Sequence, residues 1–255
     1  MISRSELSRL DSAQAEVIRR GQGQLRDVFS SLPLSRPESA RDALLEAYPA
    51  VVLGHGDLAS TVASEWYEEQ RLQQRGGRYT AVTASPPREE KLAGTVRFAA
   101  AGLFVEDALS TLRTLEGSLT RSLGDAQRDT INENVRRDRD AAGWHRIARA
   151  DGCDFCVMLS QRGGVYKRAT ADFASHDNCR CSAAPTWDAS APEVDVRAYE
   201  ASDRMESVRR RANDPALSAE ERATAQGVLD RHSERTREWI NANKSMLDDF
   251  RSELL

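Results

Sequence analysis

Cys153-Asp-Phe-Cys156 and His176-Asp-Asn-Cys179-Arg-Cys181, two short stretches separated by 19 residues, contain every cysteine of the chain. Unrelated core cysteines would be scattered along a sequence, whereas these four fall within 29 residues. A Cys-x2-Cys pair followed by a second set of sulfur or nitrogen donors is typical of a tetrahedral Zn²⁺ site, because four such donors complete its coordination. The stretch predicts a small module organised by a bound metal, which supplies folding energy that few large apolar side chains provide there.

Five residues compete for the four positions around the ion: Cys153, Cys156, His176, Cys179 and Cys181. A spacing of three residues lets both members of a pair turn toward one point, and it occurs at Cys153/Cys156 and at His176/Cys179. Cys179 and Cys181 are two residues apart, so on an extended backbone their side chains point to opposite faces. We therefore expect Cys153, Cys156, His176 and one of Cys179 or Cys181 as ligands, and the spacing does not choose between the last two.

The start of the chain bears on whether these thiols hold a metal or form disulfides. Met-Ile-Ser-Arg-Ser-Glu-Leu-Ser lacks the basic start and apolar run of a signal peptide. No apolar stretch approaches the roughly 20 residues that span a bilayer. Both features predict a protein made in a cytoplasm, where thiols stay reduced and a metal is favoured over a disulfide or purely structural thiols.

Composition favours helix and argues against a polycationic nucleic-acid binder. The net charge is −4, and only 6% of the residues are aromatic. Apolar residues recur at helical spacing in much of the chain, with charged residues between them. Pro49 and the Gly54-His55-Gly56 stretch are expected to separate helices, and Asp125 is expected to cap another one. The predicted helices of the first part cover residues 5–30, 35–48, 57–74, 88–123 and 125–143, with an extended connector at 79–87.

The pattern changes between residues 144 and 187, where glycines, aromatics and the cysteines replace helical spacing. Val157-Met158-Leu159 and Val165-Tyr166 are predicted as short strands joined by a turn at Gln161–Gly164. The chain therefore reads as mainly α, with a small zinc-stabilised module that contains short β-strands. We predict four regions: a helical region (1–143), the Cys/His module (144–187), a linker with a short helix (188–217) and a C-terminal amphipathic helix (218–255).

The C-terminal helix is predicted to begin with a capping box, Ser218-Ala-Glu-Glu221. Its apolar positions form an uneven stripe, which either folds back on the protein's own helices or docks on another protein after being mobile before assembly. The stripe consists of Leu229, Trp239, Ile240, Leu247, Phe250 and Leu254.

Enzymatic function is not predicted. A thiol nucleophile with His176 as base and Asn178 as its orienting partner has the right composition, but these two residues are too close in sequence to orient each other. The sequence also lacks a phosphate-binding glycine loop and a dinucleotide fingerprint. We therefore expect no catalytic residues.

A wider pattern around the cysteines resembles the signature of phage minor head proteins of the Mu F type, in particular the minor capsid branch of actinobacterial phages. The resemblance covers about residues 128–187, and the region before it agrees in helical character alone. The pattern consists of Asp138, Gly143-Trp144, Arg146, Cys153-x2-Cys156, Met158-Leu159, Arg162-Gly163, Val165-Tyr166, His176-x2-Cys179-Arg-Cys181 and Pro185.

The resemblance implies a head-morphogenesis protein of a tailed-phage virion, made in the host cytoplasm and present in few copies at the portal vertex or capsid interior. Its implied partners are the portal protein and the major capsid or scaffold protein, with a possible contact to packaged DNA and none to a membrane. Some such proteins carry a toxin-like extension, but the 68 residues after Trp187 predict only helices. A zinc-dependent nucleic-acid-binding module is the alternative, through Arg162, Lys167, Arg168 and Arg180.

Overall fold

The structure, a computed structural model, describes residues 2–149, 152–161, 166–167, 178–190, 208 and 210–254. Most of these residues are helical, which confirms the predicted mainly α fold. The helices are α1 (Arg4–Ser30), α2 (Pro37–Arg75), α3 (Glu89–Ala99), a 3-10 helix (Ala100–Val105), α4 (Ala108–Arg137), α5 (Asp154–Ser160), α6 (Ala219–Ala242) and α7 (Lys244–Leu254), and the strands are β1 (Gly143–Ile147), β2 (Tyr166–Lys167) and β3 (Ser182–Thr186). None of the described helices combines the length and the apolar character needed to cross a membrane.

Three long helices, α1, α2 and α4, form the body of the protein. Helix α1 runs antiparallel to α4, since its Arg26 pairs with Glu116 near the start of α4 while its Gln14 donates to the Leu123 carbonyl further along. The buried faces of these helices carry the apolar residues at helical spacing that the sequence predicts. The members of this core include Val17, Ile18, Leu25, Leu44, Tyr48, Val52, Leu115, Leu119 and Leu123.

Helix α2 is one helix of 39 residues, and the prediction of two helices separated at Pro49 and Gly54–Gly56 is wrong. A proline inside a helix costs about 3 kcal/mol. Burying one large apolar side chain offsets about 1.5–3 kcal/mol, and α2 buries several around the proline: Leu44, Tyr48, Val51 and Val52. Gly56 lies inside the helix, and a Cβ there would lie 4.0 Å from the Ala126 side chain of α4, an ordinary van der Waals distance, so this glycine marks neither a break nor an unusually close contact.

Helix α4 is likewise continuous through Asp125, which was expected to cap a new helix. The Asp125 carboxylate instead accepts a hydrogen bond of 2.6 Å from Arg128, one turn later in the same helix. The cap of α4 is Asp107, whose side chain accepts from the Ser110 backbone N–H at 3.0 Å. An aspartate can cap a helix at either position, and the packing of α4 on α1 and α2 decides between them.

The segment at 79–87 has no regular secondary structure, as predicted, and side chains of α2 and α4, Asn134 among them, hold it in place. Val82 donates its backbone N–H to the Asn134 side-chain oxygen at 2.9 Å, and the Asn134 amide donates back to the Val82 carbonyl at 2.7 Å. Because Asn134 replaces the hydrogen bonds of a strand partner, this extended segment packs on a helix without belonging to a sheet.

The three strands form one antiparallel sheet in the order β2-β1-β3. Trp144 in the central strand lies opposite Tyr166 on one side and Pro185 on the other. The predicted strand at Val157–Leu159 is wrong, because these residues belong to α5. A run of three apolar residues does not distinguish a strand from a buried helix. Tyr166 is in a strand, as predicted, while part of the predicted turn (162–164) lies outside the described residues.

The C-terminal region contains two helices, α6 and α7, where one was predicted, with the break at Asn243. The predicted capping box is present: Ser218 Oγ accepts from the Glu221 N–H at 3.2 Å, and the Glu221 carboxylate accepts from the Ser218 N–H at 2.9 Å. Ile240 and Phe250 pack against the core, and Leu247 is fully buried in it. The stripe therefore folds back on the protein at these positions, while the side chains of Trp239 and Leu254 lie outside what the structure describes.

Replacing Leu247 by Ala should lower the free energy of unfolding by about 2–4 kcal/mol, because it removes buried methyl groups and leaves a cavity. Met246, the neighbouring residue, is 44% exposed, and its replacement by Ala should change stability by less than about 0.5 kcal/mol. Urea denaturation of both variants checks this expectation. Equal and small effects would mean that α7 does not contribute to the core.

A second apolar core joins the helices to the cysteine-containing region. It contains Leu10, Trp66, Tyr67 and Ile131 from the long helices, together with Trp144, Ala183, Trp187 and the three buried cysteines. Because helices and sheet share this core, the cysteines are placed against the helical body, and the long helices determine what surrounds them.

Candidate metal centre

Two backbone features bring the cysteines together. Cys153 precedes α5, and its carbonyl accepts from the Val157 N–H at 3.0 Å, so Cys156 lies in the first turn of that helix. Asn178 has a left-handed backbone conformation (φ 63°) and donates its N–H to the Gly117 carbonyl of α4 at 3.1 Å. This turn delivers Cys179 and Cys181 to the same place immediately before β3 begins at Ser182.

The sulfur atoms of Cys156, Cys179 and Cys181 all lie within 4.8 Å of one another, and all three residues are buried. The Cys156 and Cys179 sulfurs are 3.9 Å apart. A disulfide requires about 2.05 Å, and the cysteines are free. Zn–S bonds of about 2.3 Å in a tetrahedron place two sulfurs about 3.8 Å apart. The cluster is therefore close enough to hold a metal ion.

The structure brings Cys179 and Cys181 into the cluster together, although their spacing predicted that one would point away. The expectation assumed an extended backbone, but the segment leaves a left-handed turn at Asn178 and becomes a strand only at Ser182. In that irregular stretch the side chains do not have to alternate between two faces.

Two of the predicted ligands remain, Cys153 and His176. Cys153 is exposed, lines the same cavity of about 440 Å³ as the three buried cysteines, and hydrogen-bonds the Cys156 thiol. His176 lies outside the described residues. Within the described part of the chain, no fourth residue, Cys153 included, joins the three cysteines at the same close distance.

The thiols of the cluster are electrostatically coupled. Hydrogen bonds from Cys156 and Cys181 lower the pKa of the Cys179 thiol far below its ordinary value, and the nearby Arg128 guanidinium acts in the same direction. Hydrogen bonds with Cys153, Cys179 and Cys181, together with burial, raise the pKa of Cys156.

Two buried arginines flank the cysteines. Arg146 belongs to the signature pattern around the cysteines but was not predicted to contact the metal site, and the sequence did not single out Arg128. The Arg128 side chain is 0% exposed and donates to the Cys181 carbonyl at 2.8 Å. Arg146 is 3% exposed and donates to the Cys156 sulfur at 3.7 Å. Gly124 leaves room for the first of these, since a Cβ there would lie 2.6 Å from an Arg128 nitrogen. Besides the resemblance pattern, the alternation of side chains along β1 is a signal for Arg146, because it places this residue on the same face as Trp144.

The structure gives less information about the residues that were suggested for the alternative functions. Asn178, the suggested orienting residue of a thiol enzyme, is an exposed turn residue. Arg180, from the suggested nucleic-acid contact set, is exposed and lines the cavity, whereas Arg162 and Arg168 lie outside the described residues and nothing is described of the Lys167 side chain.

Fold and site together define a class: a helical protein that carries a buried cluster of cysteines beside a small antiparallel sheet. Residues 1–208 match the family model described as VG15 protein. The chain therefore belongs to the VG15 protein family, a family of viral gene proteins, which places it among phage proteins. Comparisons with curated proteins and with solved structures found no match.

Proposed function

We propose that this protein is a structural minor capsid protein of a tailed phage, acts in head morphogenesis and has no enzymatic activity. It belongs to the Mu F type and is located at the portal vertex or on the inside of the capsid. One structural Zn²⁺ stabilises its cysteine-containing module, held by Cys156, Cys179, Cys181 and either Cys153 or His176. The observation that carries the proposal is the family match over residues 1–208, within which the buried cysteine cluster lies.

The burial of the residues that resemble the Mu F-type signature supports a structural role. Asp138, Trp144 and Arg146 are all buried, and Pro185 lies beside Trp144 in the sheet. Residues that maintain a common architecture are expected inside the protein, whereas catalytic residues must reach a substrate in a cleft. The burial of these residues therefore supports a structural role for this part of the signature.

Exposed apolar side chains support a role in contacts between proteins. Phe98, Phe104, Val105 and Leu109 lie within twelve residues around the 3-10 helix, and each is exposed. The connection beneath them is tightly fixed, because Asp107 donates its N–H to the Gly102 carbonyl and Thr111 donates its hydroxyl to the Ala99 carbonyl. Apolar side chains that a rigid turn presents to solvent favour a protein partner, and in the proposed setting that partner is the portal protein.

Heads assembled with a double substitution, Val105→Asp and Leu109→Asp, test this function. We expect the wild-type protein to be present in purified heads and to bind the portal protein encoded by the same genome. The double variant should fold, because both side chains are exposed, but should bind the portal protein at least tenfold more weakly. Mass spectrometry of heads and a binding assay with purified portal protein provide the two measurements.

Leu72→Asp is the matched control, because Leu72 is also exposed but lies on α2, away from the 3-10 helix in sequence. It should leave both incorporation and portal binding unchanged. Absence of the wild-type protein from heads and virions, together with no affinity for the portal protein, would refute the proposed function. Salt-dependent DNA binding by the purified protein would instead favour a nucleic-acid-binding module.

A further inference from the structure

Arg146 is a buried cation whose place is set by the register of the sheet. It lies opposite Ala183 in β3, and it shares a face of β1 with Trp144, which packs in the same apolar core as the cysteines. Side chains two residues apart in a strand point to the same face, so β1 directs this guanidinium toward the protein interior. Its NH1 donates to the sulfur of Cys156, which is itself buried.

The strength of this contact depends on the charge of the sulfur. A neutral thiol is a weak hydrogen-bond acceptor, whereas a thiolate bound to a metal carries negative charge and accepts strongly. The contact between Arg146 and Cys156 therefore fits a metal-bound thiolate better than it fits a free thiol.

Arg128, the other buried arginine, contacts the backbone of the cluster. One of its nitrogens meets the Asp125 carboxylate at 2.6 Å, and another donates to the backbone carbonyl of Cys181. Arg128 thus has a carboxylate counter-charge and fixes the backbone that carries a ligand. Arg146 donates directly to a ligand sulfur.

We propose that Arg146 is a positioning residue of the metal centre, whose guanidinium holds the Cys156 sulfur toward the ion and neutralises part of the negative charge of the thiolates. The inference rests on the proposed metal site. It adds to that site the group that stabilises the negatively charged thiolates around the ion. Groups that hydrogen-bond metal ligands typically contribute about 10–100-fold to metal affinity. A centre in which several thiolates bind the ion together suits a soft divalent cation such as Zn²⁺.

The test compares Arg146→Met with Arg180→Met in the full-length protein. Arg180 lines the same cavity but is exposed, so its substitution removes a positive charge without removing the contact to a sulfur. Zn²⁺ affinity is measured by competition with a chelator, and Co²⁺ is used as a spectroscopic probe. We expect Arg146→Met to lower Zn²⁺ affinity at least tenfold. Its sulfur-to-cobalt charge-transfer band should move to longer wavelength, because the sulfur has lost a hydrogen bond. Arg180→Met should change the affinity less than about threefold and leave the band in place.

Each outcome decides a different question. If the wild-type protein takes up no stoichiometric Co²⁺ or Zn²⁺ under reducing conditions, the proposed metal site itself fails. If the wild-type protein binds metal and folded Arg146→Met matches it in affinity and band position, the metal site stands and the role of Arg146 is refuted. If Arg146→Met does not fold, Arg146→Lys decides, because Lys retains the positive charge and a donor. Affinity within about threefold of wild type would support the proposal, and a tenfold loss in folded Arg146→Lys would overturn it.

Discussion

Replacing Asp138 by Asn should lower the free energy of unfolding by about 3–5 kcal/mol, because it breaks a buried ion pair by removing the charge of one partner. One oxygen of Asp138 accepts three hydrogen bonds, from Arg71 Nε at 3.0 Å, Trp187 Nε1 at 3.0 Å and the Tyr67 hydroxyl at 3.2 Å. Arg71 and Tyr67 belong to α2, Asp138 follows α4 and Trp187 follows β3. This carboxylate therefore joins the helical body to the sheet. An amide in its place would direct N–H donors toward groups that are themselves hydrogen-bond donors.

Asp140 provides the matched control, since it bonds the same Arg71 but its side chain is 56% exposed. Asp140→Asn should cost less than about 1 kcal/mol, because water screens an exposed ion pair. Urea denaturation of the two variants and the wild type measures the difference. Similar values for Asp138→Asn and Asp140→Asn would mean that burial does not determine the strength of this network.

Removal of the proposed Zn²⁺ should also lower the stability of the protein strongly. Structural zinc contributes on the order of 10 kcal/mol in small zinc-binding peptides, and the expected effect here is smaller because the sheet also packs on α4 and α2. We expect a chelator to abolish amide-exchange protection in α5 and β3, while α1, α2 and the first half of α4 remain protected. Hydrogen exchange followed by mass spectrometry makes this measurement.

Single cysteine substitutions make the metal prediction specific. Cys156→Ser, Cys179→Ser and Cys181→Ser should each reduce bound Zn²⁺ from one per chain to a small fraction, because all three sulfurs converge. Ser182→Ala is the control: this residue is buried next to Cys181 but contributes no sulfur, so its metal content should be unchanged. Elemental analysis that finds either Cys179→Ser or Cys181→Ser fully loaded would show that the corresponding sulfur is not a ligand.

Local patterns predicted the helices well and their ends less well. Apolar spacing identifies the buried faces of α1 and α4, and Ser218 with Glu221 identifies the start of the C-terminal helices, because caps and stripes depend on residues three or four positions apart. Pro49 and Asp125 were interpreted as boundaries on the same local grounds. Both lie inside long helices, because contacts between α2 and α4 outweigh the local preference.

In the candidate site too, local sequence predicts one part of the arrangement of the cysteines and tertiary contacts decide the other. The composition of the 29-residue window indicates that the cysteines act together, since all four occur there. The convergence of Cys156, Cys179 and Cys181 depends on the left-handed turn at Asn178 and its hydrogen bond to Gly117. Spacing along an assumed extended strand does not represent such a turn.

The sequence by itself determined the helical character of this protein, the start of its C-terminal helices and the segment in which its thiols gather, because each depends on neighbours within a few positions along the chain. The tertiary structure alone decided that α2 continues through Pro49, that Cys179 and Cys181 both face Cys156, and that Arg128 and Arg146 lie buried beside them. Those features depend on contacts between distant residues, such as Arg128 with Cys181, which are 53 positions apart. Packing of one element on another creates such contacts, and no local pattern encodes them.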